Sequence, residues 1–423
     1  MIMEFIKAIL PNLLKLDGMK NKRILVIGIN CFPELTGIGK YTGEMLNWLG
    51  KEGYQVTMIT SFPYYPQWRI QAPYKGKFYA KEKMLDGKLT LYRCPMLVPS
   101  NPSGLKRMIH EASFFLSAFF VVLTLLFSKG YEEIFCVAPP FHLGFLALFY
   151  RFFKGGRITY HIQDLQVDAA KELKMLKSDR LFSVLFAMER FILNRVNTIS
   201  TISEGMRKKI QFKTERSVRI LPNWVDTIKY YPIADQGPLK AKWGFSGEDK
   251  VVLYSGSIGE KQGLSQLIHL AEELKEEAHL KFVICGTGPY KEKLEQMAID
   301  KGLKNVCFFP LQKTEVFNDF LNMADVHLIL QKADAGDLML PSKLTTILAV
   351  GGLVLVTALP GTSLYDVIHN HQVGIVIEPE RDELLRTELL DCLKNDHSHE
   401  KLNARKYAEL KLEQNRILES WFK

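Results

Sequence analysis

The stretch Val251–Leu264, VVLYSGSIGEKQGL, passes from an apolar run through a loop with three glycines into the polar start of a helix. The run VVLYSGS (251–257) is too short for a helix and has no polar alternation. It therefore reads as a strand buried on both faces, which is what a parallel sheet covered by helices requires. Gly256, Gly259 and Gly263 allow backbone N–H groups to approach an anion closely, and Lys261 adds a charge. A diphosphate suits such a loop; a solvated surface lysine is the plainer alternative. The stretch reads as an anion-accepting strand–loop–helix unit.

The same unit recurs in both directions. Downstream, LKFVICG (280–286) leads into CGTGPYKEKL (285–294), whose glycines read as shaping a turn beside the ligand. NVCFFPL (305–311), DVHLILQ (325–331) and LVLVTA (353–358) follow. Upstream, RILVIGI (23–29) precedes the loop NCFPELTGIGKY and a helix beginning near Lys40. Further strands are expected at YQVTMIT (54–60), KLTLYRC (88–94), EEIFCVA (132–138), RITYHIQ (157–163), NTISTIS (197–203) and SVRILPN (217–223). YYPIADQGPLKAKWGFSGED (230–249), rich in Pro, Gly and charge, reads as a linker. The fold class is α/β, with two tandem Rossmann-like doubly wound parallel-sheet domains, an interdomain cleft, and ligand sites at the carboxyl ends of the strands. The expected bounds are an amphipathic extension 1–18, an N-terminal domain 19–225, a C-terminal domain 226–398, and a final helix 399–423 packing back across the junction. A chain of 423 residues accommodates this plan.

Composition narrows the class. The chain is 47% hydrophobic and 24% charged with no low-complexity tract, which excludes a disordered scaffold. The net charge of +9 is uneven: residues 1–200 carry 26 Lys/Arg against 15 Asp/Glu, whereas residues 201–423 carry 29 against 31. The first half therefore expects an anionic partner, among phosphate, a lipid surface and nucleic acid. Six single cysteines (31, 94, 136, 285, 307 and 392), with no Cys-x-x-Cys pair, argue against a zinc site or disulfide framework and for a reducing compartment. The opening MIMEFIKAILPNLLKLDGMK is interrupted by Glu4, Lys7, Pro11 and Lys15, so it reads as an amphipathic extension with a second possible start at Met19. No apolar run reaches the roughly 20 residues of a membrane span. The nearest, Phe114–Phe127, is expected either in the core or on a membrane surface.

Gly37-Ile38-Gly39 lies between the first strand and its helix. It is not a P-loop, since Glu34 and Tyr41 stand where Gly and Ser/Thr are needed. It is not a dinucleotide fingerprint either, because Thr42 replaces the third glycine and no acid ends the second strand. Farther on, Pro341-Ser342-Lys343-Leu344-Thr345-Thr346 opens an apolar helix and makes a second anion-accepting end. Tyr160-His161-Ile162-Gln163-Asp164 ends a strand with polar groups. His161 and Gln163 share a face, and His161 and Asp164 could orient a sugar or pass a proton, with a satisfied core histidine as the alternative. No Ser/His/Asp order, metal-binding helix or paired-carboxylate signature stands out.

Taken in order, Gly37–Gly39, SGSIGEKQGL, LPNWVD (221–226), CGTGP and LPSKLTTILAVGG resemble the family 4 retaining glycosyltransferases of the two-domain B fold. YHIQDLQVDAA, the QGL loop and LPSKLT…ILAVGG resemble more narrowly the colanic acid biosynthesis branch, often described as fucosyltransferases. The resemblance spans about residues 20–420. It implies Gly37 and Gly39 against the donor diphosphate, Lys261 and Gly256 holding that group, and Ser342, Lys343 and Leu344 at phosphate and ribose, with Thr345 and Thr346 beside them. Two departures matter. The family's glutamate pair falls on Leu338 and Thr346, and its histidine before Asp164 is Gln163. His161, Gln163 and Asp164 remain the candidate catalytic group, while the leaving diphosphate itself is the other candidate to take the acceptor proton. The resemblance implies no metal and no resident cofactor, the missing Asp-x-Asp agreeing. The donor is expected to be GDP-fucose or similar, and the acceptor a lipid-linked glycan in surface polysaccharide assembly. An anionic membrane surface on the cytoplasmic side is the expected partner, and nucleic acid is not. The alternatives are an epimerase on the same fold and an inactive nucleotide-sugar-binding module.

Overall fold

The computed structural model of the chain describes residues 22–34, 37–100, 104–172, 178–333 and 341–423, without the side chains of Glu172 and Lys261. The expected extension 1–18, Met19 and Leu338 lie outside the described residues. The chain forms two units, one running to Leu221 and including Leu418–Lys423, the other Pro222–Ile417.

The first unit is built on β1 (Arg23–Ile27), β2 (Gln55–Ser61), β3 (Ala80–Met84), β4 (Leu89–Cys94), β5 (Glu133–Ala138), β6 (Arg157–Ile162), β7 (Thr198–Thr201) and β8 (Val218–Ile220). Its helices are α1 (Gly37–Lys51), α2 (Gly104–Leu125), α3 (Leu143–Lys154), α4 (Gln166–Glu172), α5 (Asp179–Leu193) and α6 (Glu204–Gln211). The sheet order is β3-β4-β2-β1-β5-β6-β7-β8, parallel except for β3 against β4. Ile24, Leu25, Val26 and Ile27 are wholly buried, which is why the central strand reads as an unbroken apolar run. From β1 the chain winds outward one way through β2 and β4, and from β5 the other way. The switch between β1 and β5 opens a crevice at their carboxyl ends. β3 was not expected: AKEKM is a charged antiparallel edge strand, exposed enough to leave no apolar signature.

The second unit carries β9 (Lys250–Ser257), β10 (Leu280–Thr287), β11 (Val306–Phe309), β12 (Val326–Ile329), β13 (Val354–Thr357) and β14 (Ile375–Ile377). Its helices are α7 (Gly237–Lys242), α8 (Ser265–Glu273), α9 (Lys291–Asp300), α10 (Phe317–Asn322), α11 (Lys343–Ala349), α12 (Ser363–His371), α13 (Asp382–Lys394) and α14 (Ser398–Tyr407). The order is β11-β10-β9-β12-β13-β14, parallel throughout, with the switch between β9 and β12. Apolar side chains fill both faces of this sheet. Both units are thus doubly wound parallel α/β sheets, as the strand spacing required.

Two expectations are corrected. Residues 230–249 are not a linker but part of the second unit. The buried Lys240 ammonium donates to the Asp249 carbonyl (2.6 Å) and pairs with Asp325 (2.8 Å), ties that composition alone does not reveal. The final helix is not continuous from residue 399. It breaks at a π-helical turn, Ala408–Leu412, before α15 (Gln414–Phe422). There Val225 N–H donates to Leu412 O (2.8 Å) and Gln414 N–H to Val225 O (3.0 Å), so backbone pairing replaces the helical ladder. Residues up to Ile417 belong to the second unit, and the last six to the first. Within the first unit, the Phe422 ring lies 6.2 Å from Trp48, 6.4 Å from Tyr54 and 5.9 Å from Phe135.

Candidate functional site

In the second unit, the carboxyl end of β9 meets the amino end of α11 at the switch point. Gly256 (φ +142°) pairs in register with Gly286. A Cβ on Gly286 would lie 1.8 Å from the Gly256 carbonyl oxygen, and one on Gly288 2.1 Å from the Ile258 carbonyl oxygen. These two glycines let the turn after β10 lie directly against the loop after β9. They shape that loop.

Tyr254 anchors it, its hydroxyl donating to the Ser257 carbonyl (2.6 Å). Lys343, the first residue of α11, places Nζ 3.4 Å from the centre of the Tyr254 ring. A Cβ on Gly256 would stand 3.6 Å from Lys343 Cδ and 3.8 Å from Nζ. The ammonium is buried and has no hydrogen-bond partner among the described residues. Burial pushes its pKa well below the ordinary lysine range. The ring's negative face offsets part of the cost of burying the charge, but an anion at the β9 loop would offset far more.

The other residues expected at this helix end face elsewhere. Leu344 is wholly buried in the core, and its N–H donates to Pro341 O (3.1 Å). The Thr345 and Thr346 hydroxyls turn back onto the carbonyls of Ser342 and Lys343, each at 3.0 Å. The helical turn aims these three side chains at the core and the helix itself, so Lys343 alone of the set is brought to Tyr254 and Gly256. Ser342 stands immediately before α11, and its carbonyl accepts from the Thr345 hydroxyl. Lys261 sits in the short 3-10 turn Glu260–Gln262, and its side chain lies outside the described residues.

In the first unit, Gly37 (φ +58°) opens α1. Gly39 is glycine for a different reason: its Cβ would lie 2.7 Å from Glu34 Oε2. The buried Glu34 carboxylate accepts from the N–H groups of Tyr64 (3.0 Å) and Tyr65 (2.9 Å) and from Asn30 Nδ2 (2.8 Å). Burial raises its pKa, opposed by those hydrogen bonds. Glu34 thus joins the loop after β1 to the loop after β2. Sequence reading met it only as the residue that excludes a P-loop.

His161 is not available to a substrate. It is buried inside the sheet, Nδ1 lies 3.0 Å from Ser200 Oγ, and the ring packs on Phe135. Burial lowers its pKa to about 3, so it is a neutral core histidine. Gln163 extends the β5–β6 ladder, its N–H donating to Ala138 O (2.9 Å). Asp164 forms the turn into α4, its carbonyl accepting from Gln166 N–H (3.0 Å).

Beside them stands a polar group that sequence reading missed. Gln166 Nε2 donates to Glu111 Oε2 (2.6 Å) and its Oε1 accepts from Phe141 N–H (3.1 Å), while Arg107 lies 3.5 Å from Glu111. Burial raises the Glu111 pKa and lowers that of the neighbouring His142 to about 4. Glu111 is the only carboxylate between residues 87 and 131, a signal that could have marked it. Among the described residues, no three His, Cys, Asp or Glu side chains are grouped to hold a metal ion, and all six cysteines are free.

Comparison with known proteins agrees with this architecture. Residues 36–224 match the glycosyl transferase 4-like domain and residues 235–409 the glycosyl transferases group 1 domain. An Escherichia coli (strain K12) protein, named for colanic acid biosynthesis as glycosyl transferase WcaI, is 40% identical over 404 residues, covering 94% of this chain and 98% of that protein. Among solved structures, sucrose-phosphate synthase from Thermosynechococcus elongatus shares the fold with a TM-score of 0.74 at 15% identity, covering 95% of this chain and 97% of that one. HepE of Anabaena, in complex with UDP and glucose, gives 0.69 at 12% identity over 95% and 98%. WaaG, a glycosyltransferase involved in lipopolysaccharide biosynthesis, gives 0.68 at 17% identity over 94% and 98%. With both domain matches in sequence order and a 40%-identical relative spanning nearly the whole chain, this protein belongs to the two-domain, GT-B-fold glycosyltransferases that join a family 4-like domain to a group 1 domain.

Proposed function

We propose that this glycosyltransferase moves a sugar, with retention of configuration, from a nucleoside-diphosphate sugar to a lipid-linked glycan in exopolysaccharide assembly. The observation that carries the reading is the buried Lys343 ammonium over Tyr254 at the end of β9. Breaking the bond between the sugar and its diphosphate builds negative charge on the leaving oxygens. A cation held in a dry pocket stabilises that charge more in the transition state than in the ground state. Gly256 leaves room beside Lys343 for the phosphates, and the loop that carries Lys261 follows the same strand end.

With His161 neutral and enclosed, the leaving diphosphate is the base. The acceptor oxygen bonds to the anomeric carbon on the face from which the diphosphate departs, and the hydroxyl proton passes to a diphosphate oxygen. Lysines rather than a resident metal carry the charge in this reading, and the nucleotide sugar is a co-substrate, GDP-fucose being the first donor to try. The 40% identity to a protein named for colanic acid biosynthesis supports the polysaccharide setting, and with it the cytoplasmic side of the membrane, where nucleotide sugars serve as donors.

The test is a thermal-melt panel with GDP, UDP, ADP and NAD. Selective stabilisation by GDP supports the fucosyl or mannosyl reading. A UDP shift keeps the enzyme class and removes GDP-fucose. Stabilisation by NAD alone, or by none of the four, overturns the donor assignment. Lys261→Ala is expected to lower transfer by about 10²-fold.

A further inference from the structure

The helix α2 is long and apolar enough to cross a membrane, yet its ends are tied. It links β4 to β5, and both strands are paired on each side within one sheet, so its inner face (Phe114, Ala118, Val121, Val122) is core. Its outer face is also apolar. Leu105 is 66% exposed, Ile109 47%, Leu116 61% and Phe120 60%, spaced four, seven and four residues apart and so on one side of the helix. The stripe is widened on both sides. On one flank the Tyr79 hydroxyl donates to the Ser117 carbonyl (3.1 Å), and the adjoining Phe78 is exposed. On the other, the Phe119 ring lies 5.1 Å from that of Phe149 of α3, which leads at 5.1 Å to Phe153, and Phe152 and Phe153 face solvent.

The rim of this patch is cationic. Residues 75–157 carry 12 Lys/Arg against five Asp/Glu. Four of those acids are engaged: Glu82 by Arg93, Glu111 by Arg107 and Gln166, Glu132 by the Arg23 N–H and Glu133 by Lys22. The fifth, Asp86, sits at the tip of the β3–β4 hairpin. Lys81 and Lys83 lie exposed on β3, and Lys75 and Lys77 lie exposed in the turn before it.

We propose that the outer face of α2, flanked by Phe78–Tyr79 and Phe152–Phe153, lies flat on an anionic lipid bilayer, with the aromatic side chains in the acyl boundary and the lysines on the headgroups. An amphipathic surface of this kind binds by apolar area plus attraction to anionic lipid. A second copy of the chain is the competing occupant, and the rim opposes it, because a twofold contact would set lysine against lysine.

The inference goes beyond the donor reading and does not depend on it, since vesicle binding is measured without nucleotide or acceptor. The experiment is flotation of the full chain with vesicles of phosphatidylcholine alone or with added phosphatidylglycerol, at low and high salt, beside the triple variant Phe120→Ser/Phe152→Ser/Phe153→Ser. These sites are exposed, and an unchanged melting temperature shows that the variant folds. The expected result is flotation with phosphatidylglycerol vesicles at low salt, weakened by salt and reduced about tenfold or more in the variant. Lys77→Glu/Lys81→Glu/Lys83→Glu should lose the preference for anionic lipid. Failure to float with either vesicle, or a triple variant that floats like the parent, overturns the proposal. So does a concentration-dependent dimer that the triple variant dissolves while neither protein floats.

Discussion

Lys343 buries its amino group where, among the described residues, no hydrogen-bond partner meets it. In the unliganded protein its pKa is depressed by burial, and a bound diphosphate would restore it toward the usual value near 10.4. Binding then takes up a proton in the window between those two values, and nucleoside diphosphate affinity falls as pH rises through it. Calorimetry in buffers of different ionisation enthalpy is expected to register this uptake, and Lys343→Met to abolish it. The same variant separates function from stability. It should lower transfer by about 10²–10³-fold while the melting temperature holds or rises, because a buried amino group without a hydrogen-bond partner gives way to an apolar side chain. Glu34 behaves in the opposite way. Glu34→Ala leaves the N–H groups of Tyr64 and Tyr65 unpaired and should cost about 2–3 kcal/mol in denaturant titration. Glu34→Gln, which keeps an acceptor, should lose much less.

At the scale of the element, the turn after β10 tests how the anion loop is shaped. Gly288→Ala would force a Cβ to within 2.1 Å of a backbone oxygen, and neither chain can yield cheaply at a strand end. Stability is expected to fall by about 2–4 kcal/mol, with loss of nucleotide protection against heat. The strands flanking this turn were legible from sequence because both faces of each are covered, so burial wrote itself as continuous apolar runs. β3 and β14 were not, one being charged and exposed and the other a three-residue edge. The site was legible only in part. Gly256 and Lys343 could be found because strand–glycine–helix punctuation is local. Gln166 and Glu34 could not, since each is defined by partners 25 to 55 residues away. His161 shows the converse failure: a polar residue at a strand end satisfied the pattern of a catalytic group, but alternation turned it into the core, where Ser200 satisfies it.

Across the whole molecule, buried histidines set the response to acid. His142, His161 and His327 are held neutral by burial, with pKa values lowered to about 4, about 3 and about 3. Once unfolded, each titrates near 6.5. Between those values the unfolded chain binds more protons than the native one, so stability falls as pH drops from about 6.5 toward 4. The slope is up to about 1.4 kcal/mol per pH unit for each histidine. Glu34, Glu111 and Glu189, whose pKa values burial raises, offset part of this by taking protons in the native state. Melting temperatures between pH 7.5 and 4.5 are expected to fall steadily, and a flat profile would mean that these rings are not enclosed.

The last six residues carry a consequence for how the protein is made. Phe422 belongs among Trp48, Tyr54 and Phe135, more than 280 positions earlier in the chain. Synthesis runs from the amino end, so the first unit leaves the ribosome with that place empty and waits for the entire second unit to be translated. Its folding is therefore completed last although its sequence comes first. A released chain truncated after residue 417 should present a protease-sensitive first unit beside a finished second one.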